Sequence, residues 1–293
     1  MTATTSTSVT ETINTEVIDD LVIAYAADYE NAVPFFRFKS LIGEHSAVAS
    51  FPRWVKDAHE DLAAETDAMT PVELETTQVS VTVARVGIAR NPTNTMMEDT
   101  VLGRAGFLQA VAMDAATLLG MARDEDGTAL FASAAADVTD SGNPTELLDL
   151  VEMIGSQRTQ KARGAMVFHL HDHQLKHVQR AAASSTATGW ERFLALDFSD
   201  PQYGGTFMNV PIFASGLNPT ANGAADRVGC IWVRGDIESQ KMYCAFGHAV
   251  ARVPTTKTQE QILEDALLYA VTARYGVNIL ATNFATKLVT DNG

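Results

Sequence analysis

The sequence predicts an α+β fold on three observations. The run Val72 to Val86 alternates apolar and polar residues, with Val79, Val81 and Val83 on one face and Ser80, Thr82 and Ala84 on the other. Val101, Leu102, Ala105, Leu108, Ala112, Ala116 and Leu119 instead recur at helical spacing. Several short strand-like runs, parted by Gly and Pro clusters, fill the second half. Strands and helices mixed in this way make α+β the expected class. With 293 residues, 46% apolar and 19% charged, the chain suits one elaborated domain or two modest ones and is not generally disordered.

Taken in order, residues 1–16 are rich in Thr and Ser and are expected to form a mobile arm. The apolar stretch Val17–Ala27 follows, and Pro34 ends any helix there. Ser46 to Val55 suits a strand. With the alternating run after it, it makes a large hairpin whose acidic tip is too polar to fold into its own core. Thr95 and Glu98 have capping-box spacing at the head of a helix expected to run to about Arg123 and to stop at Asp126-Gly127, a rod of about 40 Å. Gly103, Gly106 and Gly120 weaken that helix locally but permit another backbone to come close.

Asn143-Pro144 offers the cap of a further helix bearing Leu147, Leu148, Val151 and Ile154. Met166–His171 reads as a buried strand, with Asp172 capping a helix to about Ala183. Strands are expected at 209–214, Arg227–Arg234 and Tyr243–Phe246. A last helix is expected from Thr258, boxed by Gln261 and burying Ile262, Leu263, Ala266, Leu267, Ala270 and Val271 up to Gly276. Val277–Ala281 then returns as a strand.

Charge and cysteine usage narrow the function classes. The net charge of -15 disfavours a general phosphate-binding role. Met1–Phe36 holds six acidic residues and no Lys or Arg. The stretch from Asp57 to Glu75 holds seven more (Asp57, Glu60, Asp61, Glu65, Asp67, Glu73, Glu75), again without Lys or Arg. No run approaches the ~20 apolar residues of a membrane helix, and the N-terminus lacks the basic start and apolar run of a secretory signal. A soluble protein made in the cytoplasm, with no membrane partner, is expected. Cys230 and Cys244 stand in separate runs without CxxC spacing, against a zinc knuckle or disulfide framework.

One cluster has metal-ligand character: His169, His171, Asp172 and His173, with His177 beyond. A metal-dependent hydrolase could use such a set, but it is one residue short of the His-x-His-x-Asp-His spacing found in metallo-β-lactamase-like hydrolases. Strand-end and helix-surface histidines are the plainer reading, so no metal, cofactor or catalytic residue is expected. There is no phosphate loop, no dinucleotide fingerprint and no nucleophile elbow.

The order of elements resembles one family, the major capsid proteins of tailed bacteriophages with the Hong Kong 97-type fold. The likeness rests on Glu98–Leu102 opening the long helix, Asp126–Leu130 at its exit and Met166–Leu175 as strand then helix. Val210–Pro219 with Arg227–Arg234, and Ala270–Leu280 at the close, extend it. It implies an N-terminal arm (1–46), an extended E-loop hairpin with its strand return (47–94), and a peripheral domain with a long spine helix (95–140). An axial domain (141–250) and a return to the peripheral domain (251–293) complete the division. It further implies a structural, non-enzymatic subunit assembling in the host cytoplasm into hexamers and pentamers of a virion shell. That shell would enclose double-stranded DNA without sequence-specific binding. A separate scaffolding protein, a portal and a cement protein would be its partners. The acidic hairpin tip would cross a subunit boundary, with Arg85, Arg90, Arg104 and Arg123 as basic receivers. An encapsulin-like nanocompartment shell is the alternative within the same fold.

Overall fold

A computed structural model of the chain describes residues 15–54, 76–99, 103–140, 142–162, 164–183, 193–197, 203–261 and 266–291. Helix α1 (Thr15–Asp28) precedes strands β1 (Arg37–Ser40), β2 (Val48–Trp54), β3 (Thr76–Thr82) and β4 (Ala84–Arg90), then helices α2 (Asn94–Glu98) and α3 (Gly103–Ala129). Next come β5 (Ala136–Asp140), α4 (Leu147–Thr159), β6 (Met166–Leu170) and α5 (Asp172–Ala183). β7 (Leu194–Ala195), β8 (Tyr203–Phe207), β9 (Val210–Ala214), β10 (Thr220–Ala221) and β11 (Asp226–Val233) follow. The long pair β12 (Phe246–Gln261) and β13 (Ala266–Ile279) and then β14 (Ala285–Asp291) complete the described chain, and the class is α+β. No described helix is long and apolar enough to cross a membrane.

A four-stranded sheet has the order β1-β12-β13-β4, with β1 parallel to β12 and the rest antiparallel. Tyr269, Val271, Ala273 and Tyr275 alternate along β13 and present one apolar face. Val22 of α1 and Ala112, Ala115, Ala116 and Leu119 of α3 pack on it. Gly120 lets the two helices close up: a Cβ there would lie 2.4 Å from the carbonyl oxygen of Ala26. On the opposite face Ala249 and Leu280 receive Ala49, Phe51, Val81 and Val83, the root of the β2–β3 hairpin. The hairpin otherwise belongs to neither sheet.

The larger sheet runs β5-β14-β11-β6-β9-β8-β7, with β10 beside β11. Leu150 and Met153 of α4 and Leu175 and Val178 of α5 share a core with Phe168, Leu170, Ile231 and Leu288 of its strands. Where the two bodies meet, Phe131 stands 5.1 Å from Trp232, and Phe36 stands 5.0 Å from Phe246. This aromatic joint is fully buried.

The structure departs from the sequence reading in six places. The single long helix is two: α2 is capped by Thr93, whose hydroxyl accepts from the Met96 N–H at 3.3 Å, so Thr95 and Glu98 lie inside it. Helix α3 also passes Asp126-Gly127 and ends at Ala129. Gly127 is there for packing, since a Cβ would meet Val33 at 2.8 Å. Helix α4 begins after Glu146, not at Asn143-Pro144. Thr145 is pinned to Thr290 at 2.8 Å and Asn143 accepts from the Asp291 N–H at 2.9 Å, which holds that stretch against β14.

Of the helix expected from Thr258, Thr258–Gln261 end β12 and the stretch from Ala266 forms β13, while 262–265, with Ile262 and Leu263, lie outside the described residues. Leu267, Ala270 and Val271 fit helical spacing as well as strand alternation, and a sheet between α3 and the hairpin selects the strand. Tyr243 ends a 3-10 turn, and β12 opens at Phe246. Finally, Val277–Ile279 closes β13, and the strand that follows, β14, lies in the larger sheet. Of the expected mobile arm 1–16, Thr15 and Glu16 open α1, and residues 1–14, like the hairpin tip 55–75, lie outside the described residues.

Candidate functional site

The histidine cluster is divided among separate tasks. His169 sits wholly inside the core on β6, tilted against Phe131 at 5.4 Å and Trp232 at 6.3 Å. Burial pushes it down to about 3, so it is neutral, with Asn218 pulling weakly the other way. His171 is the N-cap of α5. Its Nδ1 accepts from the His173 N–H at 3.1 Å, and its own N–H donates to Gln174 Oε1 at 3.0 Å. Burial lowers it to about 4, helped by Arg227, which keeps the accepting nitrogen free.

Asp172 is thus the first helical residue, not the cap, and its carboxyl is raised by burial. His173 stacks on His171 at 5.3 Å, and His177 Nδ1 accepts from the Thr145 N–H at 3.4 Å. Among the described residues no three His, Cys, Asp or Glu side chains gather as a metal site requires. A hydrolase built on His169, His171, Asp172 and His173 therefore has no assembled site here. Cys230 and Cys244 are both buried and free, and burial raises both thiols.

The seven acids Asp57, Glu60, Asp61, Glu65, Asp67, Glu73 and Glu75 lie outside the described residues, as does the Arg104 side chain. Of the other expected receivers, Arg90 is already paired with Asp114 at 2.9 Å. Arg123 is committed inside the subunit. Its Nη1 meets Glu30 Oε1 at 2.8 Å, its Nε donates to His248 Nε2 at 3.1 Å, and it lies over the Tyr275 ring at 5.7 Å. Its side chain is 19% exposed. Arg85 is exposed on β4, with no salt-bridge partner among the described residues.

Arg85 is not isolated. It stands directly opposite Arg274 on β13, and Arg274 stands directly opposite Arg252 on β12. The sequence hides this row because its members are far apart in the chain, and because Arg274 lies within the segment read as a helix.

Glu30, at the floor of a groove of about 250 Å³ between α1 and the four-stranded sheet, is 8% exposed. Burial pushes its carboxyl up to about 7, Arg123 pulling it back. Beside it Asp124 Oδ1 accepts from the N–H groups of Asn31, Ala32 and Val33 at 3.0, 2.8 and 3.3 Å, fixing the exit of α1 onto α3. Ile23, Phe38, Ile42 and Val253 line the groove and remain partly exposed.

No protein-family model matches the sequence, and no curated protein does. Solved structures do match. A chain in the head structure of Helicobacter pylori bacteriophage KHP40 superposes with a TM-score of 0.65 at 10% identity, over 90% of this chain and 91% of that one. For the capsid of the cyanophage P-SCSP1u the TM-score is 0.61 at 10% identity, over 88% and 87%. For a virus-like particle from Pyrococcus furiosus it is 0.57 at 8% identity, over 93% and 98%. The chain therefore has the fold of phage capsid subunits, the Hong Kong 97-type fold. At these identities the likeness speaks for the fold alone.

Proposed function

We propose that this chain, with its capsid fold, is the major shell subunit of a tailed bacteriophage. It assembles into pentamers and hexamers that close an icosahedral shell around double-stranded DNA. The observation that carries the reading is the β2–β3 hairpin. A two-stranded ribbon is marginal alone in water. This one pairs with neither sheet, and its seven-residue strands rest on the subunit through Ala49, Phe51, Val81 and Val83 and through Arg53, whose Nη2 donates to Asn283 Oδ1 at 3.1 Å. A neighbouring subunit supplies the missing surface, and the acids of 57–75 meet it.

The role is structural, not catalytic. The same reading includes a separate scaffolding protein, a portal, a cement protein and assembly in the host cytoplasm. With a net charge of -15 the shell holds DNA by enclosure, without tight or sequence-specific adhesion. Negative-stain microscopy and sedimentation of the purified chain, alone and co-produced with its scaffold, test the reading. Closed shells or ring-shaped capsomers are expected, and a compact monomer under every condition would overturn it. Nuclease-resistant DNA in native particles separates a phage head from a nanocompartment filled with protein cargo.

A further inference from the structure

We propose that the groove between α1 and the four-stranded sheet is a binding site for a small apolar amine, a ring or short alkyl chain that carries one primary ammonium group. The proposal stands apart from the shell reading and does not depend on it.

The walls of the groove are apolar. Ile23 and Ala27 of α1 form one side, and Phe38 of β1, Ile42 beyond it and Val253 of β12 form the other, around a volume of about 250 Å³. An apolar cavity of about 150 Å³ holds benzene, so this volume takes a ring with a short side chain. Ile23, Phe38, Ile42 and Val253 keep apolar area in water, and a ligand that covers this area is held by its removal from solvent.

The floor is polar and unfinished. The Glu30 side chain is only 8% exposed. Its Oε1 accepts from Arg123 Nη1 at 2.8 Å, while Oε2 accepts from no donor among the described residues. A buried acceptor left without a donor is costly, and a ligand N–H aimed at Oε2 removes that cost.

Charge decides the sign of the ligand. On α3, Asp124 lies close enough to Glu30 to act on it, and Asp126 Oδ2 accepts from the Tyr275 hydroxyl of β13 at 2.8 Å. On β12, His248 Nε2 accepts from Arg123 Nε at 3.1 Å and so carries no proton there. Arg252 borders the groove but turns its Nη2 to Thr272 Oγ1 at 2.7 Å. Three acids, Glu30, Asp124 and Asp126, therefore gather around one cation, Arg123. An ammonium head balances Glu30 and hydrogen-bonds its open oxygen, whereas a carboxylate head would add a fourth acid. Burial already pushes the Glu30 carboxyl up to about 7, so the amine should lose affinity in acid, where Glu30 takes up a proton.

The test is a titration of the full chain by ligand-observed NMR with three probes of similar size: 2-phenylethylamine, 2-phenylethanol and 3-phenylpropionate. At pH 8 the amine should bind at least ~tenfold more tightly than the alcohol, and the carboxylate should bind least. At pH 5 the preference for the amine should disappear, with alcohol binding kept within ~twofold. Glu30→Gln should do the same at pH 8. Ala27→Trp fills the groove from an exposed position on α1 and should abolish binding of all three probes without lowering the unfolding temperature. Equal affinity for the amine and the carboxylate, or an amine preference that survives Glu30→Gln, overturns the proposal. So does the failure of every probe to bind. If Ala27→Trp then also blocks association of the chain, the groove is an interface between copies instead.

Discussion

At Glu30, burial and pairing oppose each other. Its folded carboxyl titrates near 7, against 4.5 for the free group. Between those values the folded chain holds a proton that the unfolded chain has released. This group's contribution therefore favours folding in acid and is lost as pH rises through about 7, on the order of 3 kcal/mol in all. Glu30→Gln should remove that component. Urea unfolding at pH 5 and pH 8 would show it as a variant that gains on the wild type at pH 8, and an unchanged difference between the two pH values would exclude Glu30 as the group. Arg123→Ala leaves the carboxylate buried without its cation. It should cost roughly 3 kcal/mol at pH 8 and clearly less at pH 5, where Glu30 is neutral.

His171 has the opposite sign: with a folded value near 4 against 6.5, it destabilises as pH falls from 6.5 to 4. His171→Ala should cost about 1 kcal/mol through loss of the cap, and His171→Asn should recover most of it. The sequence did contain this role, since Gln174 stands in box position to His171, but four nearby histidines draw attention to metal chemistry first.

Helices and strands were unequally legible. β3 followed from alternation, because the hairpin has one face buried and register is then strongly specified, and β6 followed from a short apolar run buried on both faces. The segment from Thr258 was not legible in this way. Its apolar residues satisfy both periods, and the decision between them is made by β4 and α3, which lie more than a hundred residues earlier.

Close helix packing gives a paired prediction. Gly120→Ala should destabilise by roughly 1–3 kcal/mol by forcing α1 from α3. Gly155→Ala in α4, where a Cβ meets nothing within 4 Å, should stabilise by about 0.5–1 kcal/mol. Thermal unfolding of both variants separates backbone clash from helix propensity. At the hairpin, Glu60→Lys, Asp61→Lys, Glu65→Lys and Asp67→Lys together should leave circular dichroism and subunit stability within about 0.5 kcal/mol of wild type, yet weaken assembly seen by sedimentation. Assembly equal to wild type would remove charge from the docking mechanism.

For the whole molecule, contacts of ~0–1 kcal/mol each would suffice in the proposed shell, because a closed shell repeats them many times. Screening at 1 M salt, where the Debye length is ~3 Å, should therefore shift wild-type sedimentation toward free subunits without unfolding them. Indifference to salt would point to apolar docking. The order and lengths of elements carried the likeness to capsid subunits in the sequence. The arginine row was not visible there, since it exists only once β4, β12 and β13 are paired.

The position of β14 sets a timetable for the nascent chain. β14 lies between β11 and β5, and β5 has no other strand partner among the described residues. The stretch from Asp140 to Ala285 takes roughly 7–30 s to synthesise at ~5–20 residues per second. For that interval β5 waits unpaired and β11 shows an open edge, a template for wrong pairing. Gln174 and Thr145 wait as well, since both bond to Thr290 on the strand still to come. A ribosome-bound chain thus cannot complete its larger sheet before β14 emerges.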